Sequence, residues 1–402
     1  MTASGRRYDD VVIAGTSSFS AAGSGGRALL AAAASKTQRF WKGPLLHTRR
    51  AEDGGEVYAA HCPQIPVEEL LGTKGIRTLN AEARLFTGAG VAALRDAGWS
   101  SEVVSMVSCG TVHTGIDELT TLLAVTAEEG ADRANPAWAA QVGSVVCAAR
   151  LAMQVEATGP CLTLSSGRCA GLEALSVGAD AIQDGLVRGV LAGGIDVLSR
   201  ASARSWVVSE EKPPRPFDQN RAGAVPGEAA AVAALRRAGD EVAKPPLARL
   251  VAYASAMVLD AGSDVLSQTI AEAIMCALDQ AGWSPADLGV VVGSACGDPV
   301  LDACEAAALA VTVGPDVPVW TAGGLTGVTM GADGPLALTA AIAALRENCV
   351  PPIAGLGRLD DEWRPIAALR ESAVKPKAPR ALCLISDPRG RADVVLLTVE
   401  DL

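Results

Sequence analysis

The sequence predicts an α/β fold in which two related halves each build a β-sheet covered by helices. Three observations carry this expectation. Short apolar runs alternate with amphipathic stretches of helical length, the pattern of strands connected through helices. A stretch of the first half, Ala93-Leu94-Arg95-Asp96-Ala97-Gly98-Trp99-Ser100, is answered in the second by Ala277-Leu278-Asp279-Gln280-Ala281-Gly282-Trp283-Ser284. Residues 159–172 read as strand, tight small-residue turn and helix, and the rest of the chain is organised around them.

Taken in order, residues 10–15 form a first strand and 24–34 a helix, followed by a loop-rich excursion over 38–66 carrying Trp41, His47 and His61. Residues 80–97 are a helix stopped by Gly98, with a strand expected at 103–108. Cys161–Leu164 reads as a short buried strand. The helix after it runs to about residue 184, and Leu172, Leu175, Gly178, Ala179 and Ile182 keep one face inward. Gly185 stops it, and 187–195 is another buried strand.

Each copy of the echo is followed by a spacer, a valine-rich strand (103–107; 290–292) and a small-residue loop. Farther on, 318–321 is a strand leading into a glycine-rich loop, 335–347 a helix, and 380–386 and 393–398 two late strands. The echo predicts a duplicated unit, residues 1–245 and 246–402, with Lys244-Pro245-Pro246 as linker and a mostly parallel sheet in each half.

Composition narrows the function classes. The chain has 402 residues, enough for one large core or two domains sharing one. A net charge of −11 argues against nucleic acid, whose phosphates need clustered Lys and Arg. No apolar run is long enough to span a bilayer, and the N-terminus lacks the apolar core of a signal peptide, so no membrane partner and a cytoplasmic location are expected. Ten cysteines are scattered without CxxC or zinc spacing. They read as reduced, buried small hydrophobes, and no metal or cofactor is expected.

The turn at 165–169 aims its residue into a helix N-terminus, where unpaired N–H groups and the helix dipole favour an anion or a thiolate. Arg168 stands there with the opposite charge. Cys169 is adjacent, but one residue along a helix rotates a side chain by roughly 100°, away from the site.

Residues 159–172, the run 215–228 with its pattern PFDxxRxGxVxGE, and Asp302-Ala303-Cys304-Glu305 together resemble the β-ketoacyl synthases of the thiolase superfamily. The resemblance runs from residue 11 to about 397 and implies a thiolase-like fold, two duplicated halves stacked in five layers α/β/α/β/α. A condensing enzyme of that family needs a cysteine and two later histidines. The matching positions here hold Arg168, Ser294 and Val328, with Gly323 at the family's lysine. The chain's three histidines, His47, His61 and His113, all precede Arg168.

The pattern therefore resembles the chain length factor, the ketosynthase-β subunit of type II polyketide synthases, with arginine in place of the usual glutamine. That resemblance implies a non-catalytic subunit paired with a catalytic ketosynthase, which condenses malonyl groups carried on an acyl carrier protein. This subunit would shape the tunnel taken by the growing polyketide chain. Tunnel or interface candidates are Thr111, His113, Gly115, Gly143, Ser144 and Cys147. Around Gly143 the side chains are small, which either leaves room for a longer or stiffer acyl chain or reflects looser packing filled by neighbours.

Glu228, Asp302 and Glu305 would support the pocket and, with Asp298, are the carboxylates expected near Arg168. That arginine is read first as a buried structural ion pair, and alternatively as a holder of a malonyl or partner carboxylate. His113 reads as a hydrogen-bonded structural residue. The glycines at 323, 324, 327 and 331 match no phosphate-loop motif and read as close packing. Two other functions stay open: a stand-alone acyltransferase using Cys169, and a homodimeric acyl-binding scaffold.

Overall fold

Strand Ser4–Ser20 is the seam of the molecule. A register shift between Arg7 and Val11 lets its beginning pair with Ala248–Met257, while Val11 to Ser20 pair with Ala229–Arg237. The strand is longer than the residues 10–15 expected, because its first residues are polar and mostly exposed and its last, Thr16 to Ser20, are mostly buried but polar apart from Phe19, so neither end forms an apolar run. The computed structural model describes residues 3–43, 56–65, 67–72, 79–206, 211–240, 244–259, 262–363 and 366–400.

Through that seam twelve of the described strands join into one sheet, eleven in a continuous order and the short Gly23–Ser24 paired only with the end of Ser4–Ser20. From one edge its order is Ala367–Ala368, Pro318–Thr321, Val290–Gly293, Arg380–Asp387, Arg391–Thr398, Ala248–Met257 and Ser4–Ser20. It continues through Ala229–Arg237, Gly189–Asp196, Met106–Gly110 and Cys161–Leu164. The two ends of this order pair in parallel, but the centre is antiparallel. The mostly parallel sheet expected in each half is thus corrected to a mixed one. One cause is visible at 388–390, where a three-residue turn joins two strands too closely for any parallel crossover.

Helices Ala170–Gln183 and Asp333–Arg346 touch each other and lie between the two wings of this sheet. Both are buried along most of their length, which explains why they are rich in Ala and Gly. Helix Ala81–Ala97 covers the far face of one wing together with Val146–Gln154; Ser263–Ala281 and Pro299–Thr312 cover the other. The five layers α/β/α/β/α are present.

The echoed sequences take the same local structure. Each helix ends at a left-handed glycine, Gly98 (φ 69) or Gly282 (φ 67), then enters a short 3-10 turn and a strand. The first of those strands is Met106–Gly110, not 103–108, since Val103 closes the 3-10 turn.

Cys161–Leu164, read as buried, is instead the edge of the sheet, and Leu162 is 40% exposed. An apolar run looks alike whether it faces a core or an unfilled interface. Among the described residues no helix is long and apolar enough to cross a membrane. His47 lies outside the described residues.

Candidate functional site

Five segments converge at the carboxyl ends of the strands, the usual position of a site in an open α/β sheet. They are the turn after Cys161–Leu164, the loops after Met106–Gly110, Val290–Gly293 and Pro318–Thr321, and the end of Arg380–Asp387. Arg168 occupies the 3-10 turn Gly167–Cys169 that opens helix Ala170–Gln183. Gly167 makes the approach possible. Its φ is +67, and a Cβ there would lie 2.0 Å from Asp387 Oδ2.

The Arg168 guanidinium is buried and held on two sides. Nε donates to Asp333 Oδ2 at 2.7 Å, and Nη2 donates to the Ser294 carbonyl at 2.9 Å. Nη1 faces the Cys296 sulfur at 3.9 Å. Burial works against its charge, but the Asp333 carboxylate outweighs that and raises its pKa. The backbone N–H of Arg168, one of the first-turn donors a helix leaves open, donates to Asp387 Oδ2 at 2.9 Å. Asp387 also accepts from the Arg389 backbone and guanidinium. Burial pushes the Asp387 carboxyl up, and the hydrogen bonds from Arg389 and Arg168 bring it below its ordinary value.

The partner of Arg168 is therefore Asp333, not Glu228, Asp298 or Asp302. Those carboxylates are occupied by backbone. Glu228 accepts from the N–H groups of Cys62 and Leu198. Asp302 accepts from those of Phe217, Cys296 and Gly297. Asp298 caps helix Pro299–Thr312. Glu305 adds favourable charge near Arg168 but accepts its own hydrogen bonds from Ser294, from the N–H at 3.1 Å and from Oγ at 2.6 Å. Burial pushes Glu228 and Asp302 each up to about 7. Asp302 and Glu305 are loop-holding residues.

Arg168, Ser294 and Val328, the residues expected at the family's catalytic positions, lie around one site. Ser294 meets Arg168 through its carbonyl, and its hydroxyl is shared between Glu305 and Ser386. Val328 lines a cavity of about 480 Å³ that also reaches Arg168 and His113. Behind the guanidinium is a space of about 20 Å³ bordered by Ser294, Gly323 and Asp333, room for a single water. Gly323 needs to be glycine, since a Cβ there would sit 2.3 Å from the Ala295 carbonyl oxygen.

Cys169 is fully buried in the main core, with Sγ 3.5 Å from the Ile385 carbonyl, and burial holds its thiol well above the ordinary range. It does not border the cavity.

Of the tunnel or interface candidates only His113 borders the cavity. Thr111 is buried and donates to Asp196, and Cys147 is buried beside the Thr114 hydroxyl. Gly115 is buried with φ +79 and abuts the Val142 carbonyl. Gly143 and Ser144 are exposed.

Sequence reasoning missed Asp333, Asp387 and Asp196. Asp196 ties the wall together by accepting from the N–H groups of Val112, His113 and Gly331. The mismatch at Arg168 signalled that some carboxylate had to be near, but nothing local singled out residues 165 and 219 positions away. Among the described residues no group of metal-binding side chains occurs.

Family models for the N-terminal and C-terminal domains of β-ketoacyl synthases match residues 63–241 and 260–356. The actinorhodin polyketide putative beta-ketoacyl synthase 2 of Streptomyces coelicolor is 32% identical over 248 residues, 58% of this chain and 59% of that protein. The tetracenomycin polyketide synthase ketoacyl synthase beta subunit of Streptomyces glaucescens is 32% identical over 200 residues, 46% of this chain and 49% of its own. The chain spans about half the length of the curated relatives it matches. Among solved structures, the ishigamide ketosynthase/chain length factor superposes with a TM-score of 0.86 at 20% identity, covering 98% of this chain and 99% of the other. A type II PKS acyl-carrier protein in complex with its ketosynthase gives 0.81 at 18%, covering 97% and 99%. At such identities the superpositions establish a shared thiolase-like ketosynthase fold.

Proposed function

The chain belongs to the β-ketoacyl synthase family, and we propose that it serves there as a chain length factor. In this reading it is non-catalytic. It pairs with a catalytic ketosynthase that condenses malonyl groups on an acyl carrier protein, and it lines part of the tunnel that limits chain growth. The observation carrying this reading is the turn itself. Where the family's chemistry needs a thiolate, the chain holds a buried guanidinium clamped by Asp333 and Ser294, and Asp387 occupies the backbone donor beside it.

Pairing is supported by the exposed edge strand Cys161–Leu164. Next to it Val145, Leu162 and Met153 present apolar side chains to solvent, as do Leu119 and Leu123 on the helix whose start abuts residue 142. An open strand edge beside apolar groups is a template for another chain. A relative named as a ketoacyl synthase beta subunit and a solved ketosynthase/chain length factor point the same way.

Co-expression with a ketosynthase that has the cysteine and both histidines tests the proposal. A stable heterodimer that makes polyketide, with neither chain active alone, is expected. Condensation by this chain alone would overturn it.

A further inference from the structure

Away from the turn and the cavity, the fold encloses a second pair of titratable side chains, His61 and Glu228. Their side chains are 1% and 0% exposed, and His61 Nδ1 lies 3.9 Å from Glu228 Oε2. The other ring nitrogen, Nε2, is 3.2 Å from the Val57 carbonyl. A carbonyl can only accept, so Nε2 carries a hydrogen and donates it. In the neutral ring Nδ1 is then a bare lone pair, and among the described residues it has no hydrogen-bond partner. Facing an ionised Glu228 it would make two acceptors without a donor, out of reach of water. A single proton resolves the conflict, because a neutral Glu228 can donate to Nδ1.

The pair fastens a small attachment to the main sheet. His61 follows the two-stranded sheet of Trp41–Gly43 and Val57–Ala59, and Glu228 leads into strand Ala229–Arg237. Ala60 donates to the Pro226 carbonyl at 3.0 Å and accepts from the Glu228 N–H at 3.1 Å. The Trp41 ring packs on the imidazole with centroids 4.5 Å apart. Val57 and Ala59 pack with Leu198 and Ala203 in a cluster separate from the two large cores. With so little apolar burial the attachment has low local stability, so the charge state of the pair weighs heavily in it.

We propose that His61 and Glu228 form a proton-operated latch: one proton shared between them seats the strand pair 41–43 and 57–59, and losing that proton releases the strands. Burial raises Glu228 to about 7 and lowers His61 below its ordinary 6.5, so in the closed form the proton sits on Glu228. Released into water, the two return to their ordinary values of 4.5 and 6.5. Just below 6.5 both forms therefore hold one proton, on Glu228 when closed and on His61 when open. There the two shifts oppose each other, since the raised carboxyl loses its contribution as pH rises while the lowered imidazole gains. Above 6.5 the open form sheds a proton that the closed form keeps up to about 7, and closure weakens through that window. Around the pair, among the described residues, the Cys62 thiol is held far above its ordinary range. Lys42, beside Glu56 and Glu211, and Tyr58 are raised too, so neither the thiol, the amine nor the phenol titrates near pH 7.

The test uses the full chain, co-purified with its ketosynthase where the two travel together. Amide hydrogen exchange, corrected for the intrinsic rate, is followed by mass spectrometry from pH 5 to 8.5. Peptides covering 57–62 and 226–229 are expected to lose protection roughly threefold between pH 6 and 8, the ratio set by the half-unit from 6.5 to about 7. Glu228→Gln, whose amide can donate to Nδ1 throughout this range, should abolish that fall. His61→Phe, which keeps a ring beside Trp41, should lose protection already between pH 5 and 6.5, because the opposing imidazole is gone. Protection in the parent that is flat from pH 6 to 8.5, or a fall that survives in folded Glu228→Gln, would overturn the latch. Exchange of the His61 ring C2 hydrogen in the parent reads its protonation directly and should show a midpoint below 6.5. A midpoint at or above that value would overturn the assignment even if neither variant folded. None of these readings involves condensation, so the latch stands or falls apart from the subunit assignment.

Discussion

Arg168 Nε lies 2.7 Å from Asp333 Oδ2, and both side chains are buried at the middle of the molecule. A buried pair of this kind is weak evidence of net stabilisation, but removing one partner leaves an uncompensated charge. Asp333→Asn alone should therefore destabilise the chain by roughly 3–5 kcal/mol in denaturant unfolding, and Arg168→Met alone by a similar amount. The double variant Arg168→Met/Asp333→Asn should recover much of that loss, since asparagine keeps an oxygen for the Thr329 N–H and hydroxyl that Asp333 also accepts from. Additive losses in the double variant would show that the two residues are not coupled.

A second prediction concerns Asp387. Placing a thiol at the turn by Arg168→Cys should not recreate a reactive nucleophile, because the Asp387 carboxylate takes the backbone N–H that would help stabilise a thiolate there. Nor do Ser294 and Val328 supply a base. Iodoacetamide should label the new cysteine slowly in Arg168→Cys and several-fold faster in Arg168→Cys/Asp387→Ala, with no condensation from either. Equal labelling rates would remove Asp387 from the argument.

What the sequence disclosed and what it hid follow from range. The helix inward face at Leu172, Leu175 and Ile182 and the glycine stop at Gly98 are local consequences of periodicity and backbone conformation, and both appear as read. Asp333 and Asp387 act on Arg168 across long sequence separations, so only the charge mismatch was legible, not its solution. The edge position of Cys161–Leu164 was invisible for a different reason. A short apolar run reads the same at the edge of a sheet as at its centre, because periodicity reports the side chains and not the neighbours of the strand.

The third prediction is a pH dependence. Burial raises Glu82 to about 8, with Glu118 next in effect, and raises Asp196 to about 7. Such carboxyls bind protons more tightly in the folded chain than in the unfolded one. Their contribution to stability is full below about pH 4 and is lost as pH rises toward 7–8. Asp387, held low, works the other way, but only in the acid range where its ordinary carboxylate titrates. The melting temperature should accordingly fall between pH 5.5 and 8.5. Glu82→Gln, which cannot ionise, should flatten that slope, and an unchanged slope would count against Glu82 as its source.

The last prediction separates Gly143 from the other small residues proposed along the tunnel. A Cβ built at Gly143 meets nothing nearer than Val145 Cγ1 at 3.8 Å, whereas one at Gly115 would lie 2.3 Å from the Val142 carbonyl oxygen in a left-handed backbone. Gly143→Phe should thus leave the melting temperature of this chain nearly unchanged, since surface substitutions away from special features stay within about 0.5 kcal/mol. Gly115→Ala should lower it. If residue 143 borders the passage for the growing chain, Gly143→Phe in the reconstituted pair narrows it. A packed wall resists each added methylene by roughly 1–3 kcal/mol of strain. Product analysis by mass spectrometry should then show shorter polyketides at a similar total yield, because in the proposed assignment the chemistry belongs to the partner. An unaltered length distribution from an intact heterodimer would take Gly143 out of the gate. Loss of the heterodimer, with this chain still folded, would place the residue on the pairing surface itself.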